Sequence, residues 1–189
     1  VGCIRELSNL LTELEADPYS CIIRGRFVGA AEAAAEYEKR ADGRRLPFGK
    51  HRRLAVIFKD QPLHYLLGDI DGYVPDGLDP VTQPVECIDQ YIGKKLPACF
   101  QGVSYHWSLS GSAGHTRAAG KLKAHVTFRT TRPYTSEELD AWNESIGTPL
   151  DGSVLNAVQI NYTAAPVLAD GVQSPVPARS GFVEGWAGD

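Results

Sequence analysis

Residues 66–73, LLGDIDGY, place two carboxylates, Asp69 and Asp71, two positions apart at the end of a run with strand character. On a strand, side chains at i and i+2 share a face, so Asp69 and Asp71 project together while Ile70 turns to the other side. Like charges this close raise one another's pKa unless a cation neutralises them, and a divalent metal held by oxygen ligands is the commonest remedy. The plainer reading is a pair of solvated aspartates running into a Gly turn.

A second constellation lies in SLSGSAGHTRAAGKLKAHV, residues 108–126. Ser108, Ser110 and Ser112 bring hydroxyls, Gly111, Gly114 and Gly120 let backbone N–H groups approach a ligand, and Arg117, Lys121, Lys123 and His125 bring cationic or donor groups. That is the chemistry of a triphosphate cradle. Lys121, Lys123 and His125 alternate on an expected strand, which places all three on one side, an arrangement burial does not account for. The plainer readings are a mobile hairpin and a hydrogen-bonded core histidine. A third carboxylate, Asp151 in TPLDGSV, sits beside a turn and by itself is an ordinary Asp-Gly turn residue.

The elements that must position these groups follow from periodicity. Leu7, Leu10, Leu11 and Leu14 recur as the stripe of an amphipathic helix that Asp17-Pro18 ends. Residues 20–28 have strand character, 29–42 are rich in helix formers, and 42–53 form a loop. Strands are expected at 54–58 and 64–73, a helical pattern at 85–96 closed by Pro97, and strands at 103–110 and 122–130. Thr135 with Glu138 three residues on is a capping box, so a helix should span 136–146. A last strand is expected near 156–163, with a loop-like tail from Ala169. Helices and strands interleave, but several strand connections are too short for a parallel crossover. An α+β fold follows, its core a mixed, mainly antiparallel sheet flanked by helices. Tyr105, Trp107 and Phe128 are expected in the core rather than as base-stacking platforms.

With 189 residues, the chain is long enough for one domain with a sizeable core, and residues 1–189 read as a single unit. The absence of Met and the Gly-rich end suggest a domain excised from a larger protein. No apolar run reaches the roughly 18 residues of a membrane span and no signal-peptide pattern is visible, which gives the expectation of a cytoplasmic protein without membrane contact. Cys3, Cys21, Cys87 and Cys99 form no C-x-x-C pair and are expected as free thiols. Net charge is −4, yet Lys39, Arg40, Arg44, Arg45, Lys50, Arg52 and Arg53 face only Asp42 between 39 and 53. That stretch suits a phosphate backbone, or is a solvated loop.

The order of these pieces resembles the three catalytic motifs of the archaeo-eukaryotic primase superfamily: D-I-D at Asp69 to Asp71, K-A-H at Lys123 to His125 after a Ser-Gly segment, and L-D at Leu150-Asp151. The likeness is strongest to the primase-polymerase domains of phage and plasmid replication proteins. It spans about residues 20–180, with Arg24-Gly25 resembling an N-terminal feature and Gln159, Tyr162, Pro166 and Arg179 in matching places downstream. Lys123 departs from the Arg that many relatives carry there, which keeps the charge but loses the bidentate fork.

The resemblance implies a DNA primase/DNA polymerase that performs template-directed nucleotidyl transfer, with an RRM-like catalytic half. Asp69, Asp71 and Asp151 would hold two divalent cations, Mg2+ or Mn2+. Ser108, Ser110, Lys121, Lys123 and His125 would contact the triphosphate of an incoming NTP or dNTP. Arg44, Arg45, Lys50, Arg52 and Arg53 would touch a single-stranded DNA template opposite a primer strand, weakly and in a salt-dependent way. A helicase or helical-bundle domain would belong to the parent protein. Two competitors remain at this point: a non-catalytic replication-initiator module that binds nucleic acid, and a metal-dependent nuclease. A rolling-circle endonuclease is disfavoured, because no His-x-His pair occurs.

Overall fold

The computed structural model describes residues 2–29 and 57–187. The helix expected over 29–42, apart from Gly29, lies outside them, as does the basic segment with Arg44, Arg45, Lys50, Arg52 and Arg53. Of the strand expected at 54–58, only Ile57 and Phe58 are described.

The described elements run α1 (Ile4–Glu15), β1 (Cys21–Ile23), β2 (Arg26–Phe27), β3 (Phe58–Lys59), β4 (Leu63–Tyr73), α2 (Pro84–Lys95), β5 (Tyr105–Leu109), β6 (Leu122–Tyr134), α3 (Ser136–Ser145), β7 (Ile160–Tyr162) and β8 (Ser180–Val183), with short 3-10 turns between some of them. The main sheet has the order β4-β6-β5-β8, and every described strand pair is antiparallel, β1 with β7 and β2 with β3 included. This is the expected α+β fold with an antiparallel sheet core.

Alternation along the long strands gives the sheet two unlike faces. On the first, Leu66 and Ile70 of β4 lie with Leu122, Ala124, Val126 and Phe128 of β6, all no more than 2% exposed. They pack in one cluster with Tyr105, Trp107 and Leu109 of β5, with Cys87, Ile88, Tyr91 and Ile92 of α2, and with Leu139 of α3. Each aliphatic side chain taken from water there contributes about 1.5–3 kcal/mol. Tyr105, Trp107 and Phe128 are core residues, as their apolar bulk suggests.

The second face is polar, and α1 lies over part of it, with the buried Ser8 hydroxyl 2.9 Å from Nδ1 of His106. The helix buries Ile4, Ser8 and Leu11 and leaves Leu10 41% exposed, so its inward stripe is rotated from the leucine repeat. α3 begins as its capping box requires: the Glu138 N–H donates to Thr135 Oγ1 at 3.2 Å, and the Thr135 N–H donates to Glu138 Oε2 at 2.8 Å.

Two expectations need correction. The strand expected over 20–28 is broken at Arg24-Gly25 into β1 and β2. There the Gly25 N–H donates to the Ala157 carbonyl at 2.7 Å. Arg24, 3% exposed, turns inward, with Nη1 donating to the Tyr65 carbonyl at 2.9 Å and Nη2 to the Tyr134 carbonyl. Its guanidinium also lies 5.2 Å from the Tyr65 ring centroid, and burial lowers its pKa. The tail from Ala169 is not wholly loop, since Ser180–Val183 forms the edge strand β8 beside β5.

All four cysteines are free thiols. No helix among the described residues is long and apolar enough to cross a membrane.

Candidate active site

The polar face of the sheet gathers the residues that the motifs single out. Register pairs Asp69 with His125 across β4 and β6, His125 with Ser108 across β6 and β5, and Ser108 with Ser180 across β5 and β8. One row of side chains therefore reads Asp69, His125, Ser108, Ser180 from edge to edge of the sheet. His125 Nε2 lies 3.6 Å from Asp69 Oδ1, and both side chains are about a fifth exposed, 23% and 22%. The next row towards the strand end pairs Asp71 with Lys123, which form an ion pair. Ser110 follows, its N–H donating to the Lys123 carbonyl at 3.0 Å.

Asp151 reaches the site by a different route. Gly68, beside Asp69 on β4, has no side chain to block Leu150: a Cβ there would lie 2.9 Å from Leu150 Cδ2 and 3.2 Å from Val126 Cγ2. Buried Asn143 of α3 then clamps Leu150 from both ends, donating from Nδ2 to its carbonyl at 2.9 Å and accepting from its N–H at 3.2 Å. The Tyr91 hydroxyl donates to the Pro149 carbonyl. Asp151 follows directly and caps the 3-10 turn Gly152–Leu155, its Oδ1 accepting from the Ser153 N–H at 2.8 Å.

Electrostatics tie the three acids together. Burial raises the pKa of Asp69, Asp71 and Asp151 push it further up, and His125 and Lys123 act against them. The repulsion that the D-x-D spacing implies is present in the fold.

Asp69, Ser108, Ser110 and His125 line one cavity of about 380 Å³. Its remaining wall comes from Leu109 and Gly111, from Ser153 and Val154, and from the segment Gln159 to Ala164, which contains β7. A second cavity of about 440 Å³ shares Ser108 and His125 but extends under α1 and β1 between mainly aliphatic side chains, Leu7, Leu11, Ile22 and Leu67 among them. Of the three acids only Asp69 lines the polar cavity, beside hydroxyl and imidazole groups of the kind that bind phosphate oxygens.

Of the sequence-predicted residues, the fold brings Asp69, Asp71, Ser108, Ser110, Lys123 and His125 together on one face, and Asp151 within electrostatic range. Lys121 is not brought in. It precedes β6, is exposed, is absent from the cavity wall, and its N–H donates to the Ala118 carbonyl at 3.0 Å. Among the described residues no three His, Cys, Asp or Glu side chains stand grouped to hold a metal ion. Asp71 is engaged by Lys123 and Asp151 by its own turn, whereas the donor set itself, three carboxylates that repel one another, is the hard-oxygen chemistry Mg2+ and Mn2+ take. Residue-level reading missed Ser153, Asn161 and Thr163 in the cavity wall, and Ser180 in the row. No motif marks them, and only strand pairing places them. Arg179 braces the rim, with Nη1 donating to the Ser110 carbonyl at 3.3 Å and its own carbonyl accepting from the Leu109 N–H at 2.7 Å. Comparison with family models, curated proteins and solved structures finds no match for this chain.

Proposed function

We propose that this chain is the catalytic domain of a template-directed nucleotidyltransferase, a DNA primase/polymerase of a phage or mobile element. The observation that carries the reading is the cross-strand row Asp69, His125, Ser108, with the acid at the sheet edge and the donors beside it in one polar cavity. In this reaction the primer 3′-oxygen bonds to the α-phosphorus, the bond to the β-phosphate oxygen breaks, and pyrophosphate leaves. The chemistry needs positioning and charge stabilisation more than a covalent intermediate.

Asp69, Asp71 and Asp151 are the groups that would hold divalent cations. When bound there, Mg2+ or Mn2+ supplies charge neutralisation at the phosphates and lowers the pKa of the attacking hydroxyl. His125, Ser108 and Ser110 direct N–H and O–H donors at phosphate oxygens. Lys123, paired with Asp71, would add positive charge from the neighbouring row. Gln159 and Asn161 offer further amide donors from the opposite wall.

The test is incorporation of labelled deoxynucleotide onto a primed single-stranded template with Mg2+ or Mn2+. Wild type should extend the primer, and the Asp69→Ala/Asp71→Ala double variant should lose about a thousandfold or more of the rate while keeping its circular dichroism. Degradation of the template without extension would replace the reading with a nuclease. Oligonucleotide binding with neither reaction would replace it with a non-catalytic module.

A further inference from the structure

From Gln90 to Ser136 the chain contains no aspartate or glutamate, while Lys94, Lys95, Arg117, Lys121, Lys123, Arg129 and Arg132 supply cations in a protein of net charge −4. Most have employment within the fold. Lys94 pairs with Asp76, Lys123 with Asp71 and Arg132 with Glu138. Arg129 is half-buried against the aliphatic cavity, and Lys95 stands in the last turn of α2, where positive charge suits the helix end. Arg117 and Lys121 are left. Both are exposed, neither has a carboxylate within ion-pair distance among the described residues, and both lie on the connection between β5 and β6.

That connection is a built structure rather than a slack turn. The N–H groups of Ala113, His115, Ala118 and Lys121 donate to the carbonyls of Ser110, Ser112, His115 and Ala118 at 2.8–3.1 Å. The Arg117 N–H donates to Nδ1 of His115 at 3.1 Å. Ala113 and Ala118 are buried at 6% and 4% exposure. Gly114, at φ +77°, is seated so closely on Pro175 that a Cβ would come within 2.7 Å of its Cγ. The first residues of the connection, Ser110 and Gly111, are the rim of the polar cavity. Two solvent-facing cations thus stand on an ordered backbone whose first residues line the polar cavity.

We propose that this β5–β6 connection is a docking ridge for the phosphodiester backbone of a single nucleic-acid strand entering the cleft, Arg117 and Lys121 each neutralising one phosphate. The proposal rests on the nucleotidyl-transfer reading for the purpose of that strand, and it moves Lys121 from the nucleotide to the strand. Two exposed cations on an ordered connection that starts at the cavity wall suit a flexible single strand, since the overall negative charge of the protein disfavours broad contact with a duplex.

The test is fluorescence anisotropy of a labelled oligothymidylate across a KCl series in EDTA, a readout independent of metal, nucleotide and turnover. Wild type should bind, and the Arg117→Ala/Lys121→Ala double variant should bind about tenfold more weakly near 0.1 M salt. The slope of log affinity against log salt should fall by about 1.4, the value for two single-strand phosphate contacts. Lys95→Ala, which removes an equally exposed cation elsewhere, should leave both quantities unchanged. No binding by wild type, equal binding by the double variant, or an equal loss in Lys95→Ala would each overturn the ridge. Failure of the two ideas is separable: extension by wild type with unaltered binding in the double variant sinks the ridge alone. Loss of binding in the double variant, with no extension by any protein, sinks the nucleotidyl-transfer reading alone.

Discussion

Asp69 shows how burial and neighbouring charge converge on one residue. Its carboxylate is partly buried, its pKa is raised by that burial and by two neighbouring acids, and only His125 and Lys123 oppose them. The pattern D-I-D made this legible, because strand alternation turns a two-residue spacing into a shared face. His106 lies one pair along on the same face and was not legible, since nothing local distinguishes a buried histidine from an exposed one. Burial pushes its pKa down to about 4, and Ser8 is its partner. In the unfolded chain the imidazole takes up a proton near pH 6.5, so between about 6.5 and 4 the unfolded state binds more protons and stability rises with pH. Urea titrations should therefore show wild type losing about 2 kcal/mol between pH 7 and 4.5, and His106→Gln losing measurably less. Parallel pH profiles for the two proteins would refute the assignment.

At the level of elements, the two longest strands do most of the positioning. β4 and β6 pair in register from Tyr65 with Arg129 to Asp71 with Lys123, and each sends one alternation into the core and the other to the site. Both strands, the flanking helices and the capping box could be read from the chain, because their periodicity is local. The bend at Arg24-Gly25 could not, because its cause is the Ala157 carbonyl far along the sequence. β8 escaped notice because four residues containing a glycine carry too little alternation to signal a strand. The placement of Asp151 is likewise an affair of elements: α3 lends Asn143, and Asn143 holds Leu150. Asn143→Ala removes both hydrogen bonds and strands two buried backbone groups. It should cost about 2–4 kcal/mol in denaturant unfolding, and, among molecules still folded, lower the extension rate by displacing Asp151. An unchanged rate would mean that Asp151 does not depend on this clamp.

For the molecule as a whole, net charge and composition said little about the site, but the arrangement of charge says more. If Asp69, Asp71 and Asp151 hold cations as proposed, the folded state binds them better than the unfolded chain does, so cation binding should read out as global stability. At a hundredfold excess over its dissociation constant, Mn2+ should add about 2.7 kcal/mol, a rise of roughly 5–10 °C in melting temperature for a chain of this size. The Asp69→Asn/Asp71→Asn variant should melt above wild type without metal and lose the Mn2+ response; an equal response in both would place the cation elsewhere. The β1–β7 pair has a consequence of another kind. Cys21 finds its partner only at Tyr162, and the segment around β7 is a wall of the candidate site. On the ribosome, therefore, the cleft stays open until Tyr162 has emerged, and a nascent chain halted before that point presents the unpaired edge of β1.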